Sequence, residues 1–414
     1  MTKDGRRRVN NMVVPVVPPS LIDPEALPPP LMTSELGSFA YNTFKVRIPR
    51  IIDDIVAHNA FSEEIRQAMA ELRSEITEGT IRPLRESTPD KPFWDQVSRP
   101  YFGRSWLEVP WYWAEAYFYR RVLEATRYFQ PGPWHGVDPY ATIKGTEWRP
   151  DAAPRMIDRL LRSLSDDPET RFRQLLYASL WGNRVDLSYN VAAHLAGTEA
   201  EDELSNILVD DGEAAWRYLQ DRSCGRIILI HDNAGTELLA DLALVDFLLC
   251  EELASQVDLH LKAQPFFVSD AMLADVEVGI EALARGDEAA RQLGERLRGH
   301  LAGGRLRLYT HWFYTTSLFY FQLPDDLRAI LASADWVILK GDVNYRRLLG
   351  DAHWPPTSSF ERATAYFPAP LLTLRTLKSE LIVGLAPGEA ERLSQEDPTW
   401  MVNGRRGVIQ GRLT

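Results

Sequence analysis

Between residues 38 and 200, apolar positions recur at steps of three and four: Ile51, Ile52, Ile55 and Val56, then Ile65, Met69, Leu72 and Ile76. That spacing lines one face of a helix, and no clear strand pattern interrupts it, so this half of the chain is predicted helical. After about residue 200 the pattern changes to short apolar runs separated by longer amphipathic stretches. The runs predict strands at 226–230, 257–261, 266–268, 305–309, 336–339, 371–374 and 381–385. Helices are predicted between them over approximately 236–253, 271–285 and 287–302, the last closed by Gly303-Gly304. Strands apolar throughout and alternating with helices imply a mainly parallel sheet covered on both faces.

Ahead of the helical pattern, seven prolines between Pro15 and Pro30 fix φ and remove hydrogen-bond donors, which favours an extended arm over a helix. The expected organisation is therefore a proline-rich arm over 1–36, a helical domain over 37–200, and an α/β domain over 201–414, Rossmann-like and built in three layers, α/β/α. A strapped-down or mobile arm is the plainer reading of the prolines, and partner binding the sharper one. Trp106, Trp111, Trp113, Tyr117, Phe118 and Tyr119 could be taken for a base-stacking platform. At helical spacing and without interleaved basic residues they read as core.

Composition narrows the classes. The 414 residues are 45% hydrophobic and 25% charged, enough apolar mass for two ordinary domains without staples. The net charge of -12 repels polyanions and argues against non-specific nucleic-acid binding. Cys224 and Cys250 lie far apart with no CxxC, so neither a disulfide framework nor a thiolate zinc site is expected, and a reducing cytoplasm is. Prolines 15, 18 and 19 break the apolar stretch near the start, as a secretory signal should not. The longest uncharged run, 308–324, holds Thr310, His311, Thr315, Thr316 and Gln322 and is too short and polar to span a bilayer.

Open parallel sheets bind ligands beyond the carboxyl ends of their strands, so the residues that follow each strand carry the chemistry. The first predicted strand runs into His231-Asp232-Asn233-Ala234-Gly235-Thr236-Glu237, and 266–268 into Ser269-Asp270. Strand 305–309 runs into Thr310-His311, 336–339 into Lys340-Gly341-Asp342-Val343-Asn344-Tyr345-Arg346, and 371–374 into Arg375-Thr376-Leu377-Lys378. Asp232, Asn233 and Asp270 are hard oxygen donors suited to a divalent ion with open positions. Either Asp232 or Asn233 alone reads as a helix cap; the coincidence with Asp270 and Asp342 at other strand ends favours a site. Lys340, Arg346, Arg375 and Lys378 suit an anionic substrate, phosphate above all. His231 and His311 beside them are as readily structural as proton shuttles. P-loop, zincin, nucleophile-elbow and dinucleotide-loop motifs are absent.

These motifs, together with Ser38-Phe39-Ala40-Tyr41, residues 115–121 and Leu180-Trp181-Gly182-Asn183-Arg184-Val185-Asp186-Leu187-Ser188, resemble the metal-dependent damage-control phosphatases, once a domain of unknown function. The Arg375-Thr376-Leu377-Lys378 element resembles the Arg-Thr-x-Lys signature of subfamily III, and the likeness runs from about residue 36 to near the C-terminus. It implies a divalent ion (Mn²⁺, Co²⁺, Ni²⁺ or Mg²⁺) held by Asp232, Asn233 and Asp270, and hydrolysis of small phosphorylated metabolites, sugar phosphates such as fructose 1-phosphate among them. It further implies substrate contacts from Asp232, Asn233, Gly341, Asp342, Asn344, Tyr345, Arg375 and Lys378, with Glu237, Asn183 and Asp186 lining the cavity. His231, Phe267 and Tyr314 depart from the family pattern. The nucleophile is expected to be water, with Asp232 or Glu237 as its base, rather than the Asp232 carboxylate itself. Two other readings are an S-adenosylmethionine-dependent protein-glutamate methyltransferase, a description some relatives carry, and a non-catalytic sugar-phosphate-binding module.

Overall fold

The computed structural model describes residues 16–148, 152–182, 205–222 and 224–413. Its frame is a seven-stranded sheet: β1 (Ile207–Asp210), β2 (Cys224–Ile230), β3 (Ala254–Leu261), β4 (Leu306–Thr310), β5 (Trp336–Lys340), β6 (Leu371–Thr376) and β7 (Gly407–Arg412). The order is β1-β7-β6-β5-β2-β3-β4. All pairings are parallel except β6 with β7, which run antiparallel. Chain direction across the sheet reverses between β2 and β5, and such a switch point opens a crevice at the strand ends.

Side chains along the central strands alternate between two apolar cores, as the pleat requires. Ile228, Ile230, Val337 and Leu339 face one core with the helices Ile48–His58, Glu63–Glu78 and Trp111–Ala125. Ile227, Leu229, Ile338 and Leu372 face the other with Ala153–Ser163, Pro168–Leu180, Thr236–Cys250 and Glu288–Ala302. The helical half thus contributes to both outer layers, and the sheet divides the cores. Trp106, Trp113 and Tyr117 are buried and stack face to face inside the first core, which settles that stretch as packing.

Several expectations are corrected. Residues 266–268 form no strand: Phe267 and Val268 have φ of 44° and 63°, a left-handed turn. Residues 381–385 pair with no described strand: Gly384 takes φ +85°, and the carbonyls of Leu381 and Val383 accept from the Arg375 and Gln410 side chains. Strands β1 and β7 were not anticipated. The described part of the arm is strapped down, through Leu21 N–H to Phe321 O, Leu31 N–H to Asp351 O and Trp111 N–H to Leu31 O. No helix among the described residues is long and apolar enough to cross a membrane.

Candidate active site

The turn after β2 and the loop after β3 are sewn together by backbone. Ala234 N–H donates to Ser269 O and Ala271 N–H to Asp232 O, both at 2.8 Å, closing an antiparallel bridge between Asn233 and Asp270. The left-handed turn at Phe267 and Val268, packed on Tyr112 and Tyr119, swings Asp270 back toward Asp232. On the other side of β2, Gly341 leads from β5 into the helix Gly341–Leu348 with φ +85°. A Cβ there would lie 2.0 Å from Asp232 Oδ2, so only glycine lets this backbone meet the carboxylate. Neither Asp232 nor Asn233 caps the helix Thr236–Cys250; its N-cap is Gly235.

Three buried acids share the crevice. Asn233 Nδ2 donates to Asp232 Oδ2 at 2.8 Å and Glu237 Oε2 at 3.0 Å, while its Oδ1 accepts from Ser269 Oγ at 2.6 Å. Burial pushes Asp232 well above the usual carboxylate range, and the negative neighbours Asp270 and Glu237 push it further. Burial also raises Asp270, against the pull of Lys262 and Lys144. Among the described residues, Asp232 Oδ1 is buried and accepts no hydrogen bond, and Asp270 Oδ2 has only the Lys262 ammonium at 3.0 Å. Buried carboxylate oxygens without donors are costly by themselves and fit a hard divalent cation, which would reverse the raised affinities for protons.

The cations divide into fixed and free. The Lys340 ammonium is buried against Asp241 (3.2 Å), Glu237 (3.6 Å) and Ser179, below the acids. Asp241 also meets His231 Nδ1 at 2.7 Å, so His231 belongs to this buried array. Arg346 is held by Asp351 and Glu115 and lies over the Trp111 ring. The Arg375 guanidinium is fully buried and bonded to Asp342, Leu381 O and Ser379, above the Tyr345 ring. In this geometry it is an internal anchor, its Nε, Nη1 and Nη2 each bonded within the protein. Lys378 is exposed, and among the described residues no hydrogen bond or ion pair engages its ammonium, yet its charge reaches Asp232.

The remaining predicted residues mostly build the wall. Asp342 accepts from Arg375 Nε, Lys378 N–H and Ser379 Oγ. Asn344 donates to Lys340 O and accepts from Tyr320 Oη, and Tyr345 Oη donates to Gln410. His311 accepts from Phe313 N–H and contacts Asp326, a turn-forming role. Asn183 and Asp186 lie outside the described residues; Gly182 just before them packs against Glu237, where a Cβ would stand 2.6 Å from its Cα. Lys262 and Lys144 were missed. Lys262 directly follows β3, which the strand predicted at 257–261 already marked, so inspecting the residues after that strand as after the others would have found it.

A family model described as the damage-control phosphatase ARMT1-like domain matches residues 43–393. The chain is 33% identical to "Damage-control phosphatase ARMT1" of Danio rerio over 93% of its length and 97% of that protein. It is 32% identical to the protein of the same name from Homo sapiens, over 93% and 98%. A solved structure of a DUF89 family protein from Pyrococcus horikoshii aligns at TM-score 0.48 with 15% identity, over 89% of this chain and 97% of that one.

Proposed function

Because the chain belongs to the ARMT1-like damage-control phosphatase family, which supports a metabolite-repair phosphatase role, we propose that it is a divalent-metal-dependent phosphomonoesterase. Its substrates in this reading are small phosphate esters, sugar phosphates such as fructose 1-phosphate among them. One observation carries it: Asp232 and Asp270 bring buried, donor-poor carboxylate oxygens together at the sheet's switch point, with an uncommitted lysine, Lys378, at the rim.

Asp232, Asp270 and Asn233 would hold Mn²⁺, Co²⁺, Ni²⁺ or Mg²⁺, the asparagine by turning its amide so that Oδ1 faces the acids and Nδ2 faces Ser269. The bound ion would polarise a phosphoryl oxygen and offset the charge that builds as the ester bond breaks. Lys378 supplies a second positive charge to the phosphoryl oxygens from the solvent side. Glu237, the acid left over, takes a proton from the attacking water as its oxygen bonds to phosphorus, and the sugar oxygen departs and takes up a proton from solvent. Lys340, pinned between Asp241 and Glu237, keeps Glu237 oriented from below. Gly341 lets the wall of the crevice approach Asp232 without a side chain between.

A phosphatase screen over sugar phosphates and other phosphometabolites, with chelator-treated protein and a panel of divalent ions, tests this reading. Phosphate release should require an added ion and disappear in Asp270→Ala. Full turnover by metal-stripped Asp270→Ala protein would overturn the site. Methyl transfer from labelled S-adenosylmethionine without phosphate release would replace the reading with the methyltransferase, and thermal stabilisation by substrates without product with the binding module.

A further inference from the structure

Away from the crevice, on the solvent side of the second helical layer, three ligand-type side chains face one another. Asp246 and Cys250 sit one turn apart near the end of the helix Thr236–Cys250, and His300 lies in the last turn of Glu288–Ala302. Asp246 Oδ1 is 3.2 Å from His300 Nε2 and 3.5 Å from Cys250 Sγ, and Cys250 Sγ is 3.7 Å from His300 Nε2. Zinc bonds of about 2.3 Å to sulfur and about 2.0–2.1 Å to nitrogen and oxygen, at tetrahedral angles, give edges of about 3.4 Å for N–O and about 3.6 Å for S–O and S–N. The observed triangle matches those edges to about 0.2 Å.

We propose that Asp246, Cys250 and His300 form a second metal site, specific for a borderline-soft transition ion such as Zn²⁺, with its fourth position open to water. The ligand set differs in kind from the oxygen donors of the crevice, which suit hard ions. Asp246 is already oriented for it: Arg296 holds the carboxylate through Nε, 2.9 Å from Oδ2 and 3.1 Å from Oδ1, and through Nη2, 2.7 Å from Oδ2, while Oδ1 also faces the cysteine and histidine. Such an outer partner commonly fixes a ligating carboxylate. Cys250 is exposed, so an ion can enter from solvent. Burial and then Asp246 raise its thiol, against Arg296 and Arg305, so metal uptake exchanges the thiol proton for a sulfur–metal bond and releases that proton. The ion would clamp together two helices, one of which carries Glu237 in its first turn, roughly 20 Å away along about thirteen residues of helix.

Cobalt distinguishes the two sites in the intact protein, because only a thiolate ligand gives a sulfur-to-cobalt charge-transfer band in the near ultraviolet. Titrating metal-free protein with Co²⁺ should produce that band, saturating with one thiolate-bound ion; Cys250→Ser should abolish it and His300→Gln should weaken binding at least tenfold. Zn²⁺ should also slow iodoacetamide alkylation of Cys250 at least tenfold. No band in the folded wild-type protein, or a band that survives Cys250→Ser, overturns the proposal. Alkylation of Cys250 at the same rate with and without Zn²⁺ does the same.

Discussion

Replacing Arg375 by alanine separates an internal anchor from a phosphate clamp. The substitution removes bonds to Asp342 at 2.8 Å, Leu381 O at 2.5 Å and Ser379 Oγ at 2.8 Å, and a guanidinium 4.2 Å from the Tyr345 ring. Among the described residues it leaves the buried Asp342 carboxylate with only the Lys378 N–H and Ser379 Oγ as donors. Breaking a buried pair from one side costs about 3–5 kcal/mol, so Arg375→Ala should lower unfolding free energy by that amount in urea titrations. A cycle with Asp342→Asn should show coupling of about 2 kcal/mol, since the amide no longer carries the stranded charge. The pH dependence has a definite sign. Burial acts to raise Asp342, but Arg375 and Arg346 outweigh it and hold it below the ordinary carboxylate range. A depressed folded value adds stability above the unfolded pKa of about 3.9 and loses it as pH falls through the folded value. In Arg375→Ala that support is gone and protonation of Asp342 relieves the cost, so the gap between variant and wild type narrows in acid. A stability loss below about 1 kcal/mol, accompanied by a KM raised tenfold or more, would refute the anchor and restore the clamp.

Lys378→Ala, at an exposed cation, should change stability by less than about 0.5 kcal/mol while lowering kcat/KM by about 10²-fold; unchanged kinetics would remove Lys378 from the site. Gly341→Ala places a methyl group into the Asp232 carboxylate and strains a positive φ, and should cost about 1–3 kcal/mol in melting experiments and at least about 10²-fold in turnover. Asp232→Asn removes one of three crowded carboxylates, so metal-free protein should gain about 1 kcal/mol or more in stability while activity is lost. A destabilised metal-free Asp232→Asn protein would show that the acids are not in conflict.

The central strands were legible because both faces are buried and their sequences are apolar throughout, as in Ile227–Ile228–Leu229–Ile230. Strand β1 was not, being four residues long and only partly buried, and β7 was not, since Gly407, Gln410, Gly411 and Arg412 dilute its pattern. Phe266-Phe267-Val268 misled in the opposite way: strong strand formers are bent into a turn because Tyr112 and Tyr119 provide ring contacts there. The positions of Asp232 and Gly341 at strand ends followed from topology, whereas Asp270 was reached through a strand at 266–268 that does not form and lies instead in the loop after β3. What each cation touches did not, because Lys340 meets Ser179 and Asp241, and Asp270 meets Lys144, across long sequence separations. The Cys250 cluster was invisible for the same reason: Asp246 and Cys250 stand one turn apart, but His300 joins them from another helix 50 residues on.

Strand β7 lies between β1 and β6 in the finished sheet, with Ile207 in register with Gly407. In sequence, β1 comes before every other strand and β7 after all of them. Until β7 docks, β1 has no partner and β6 presents an open edge whose N–H and C=O groups can pair with another molecule. Closure of so long a loop is entropically late, so assembly of this sheet should be governed by its final strand, and a half-folded chain should be most prone to aggregate through β6.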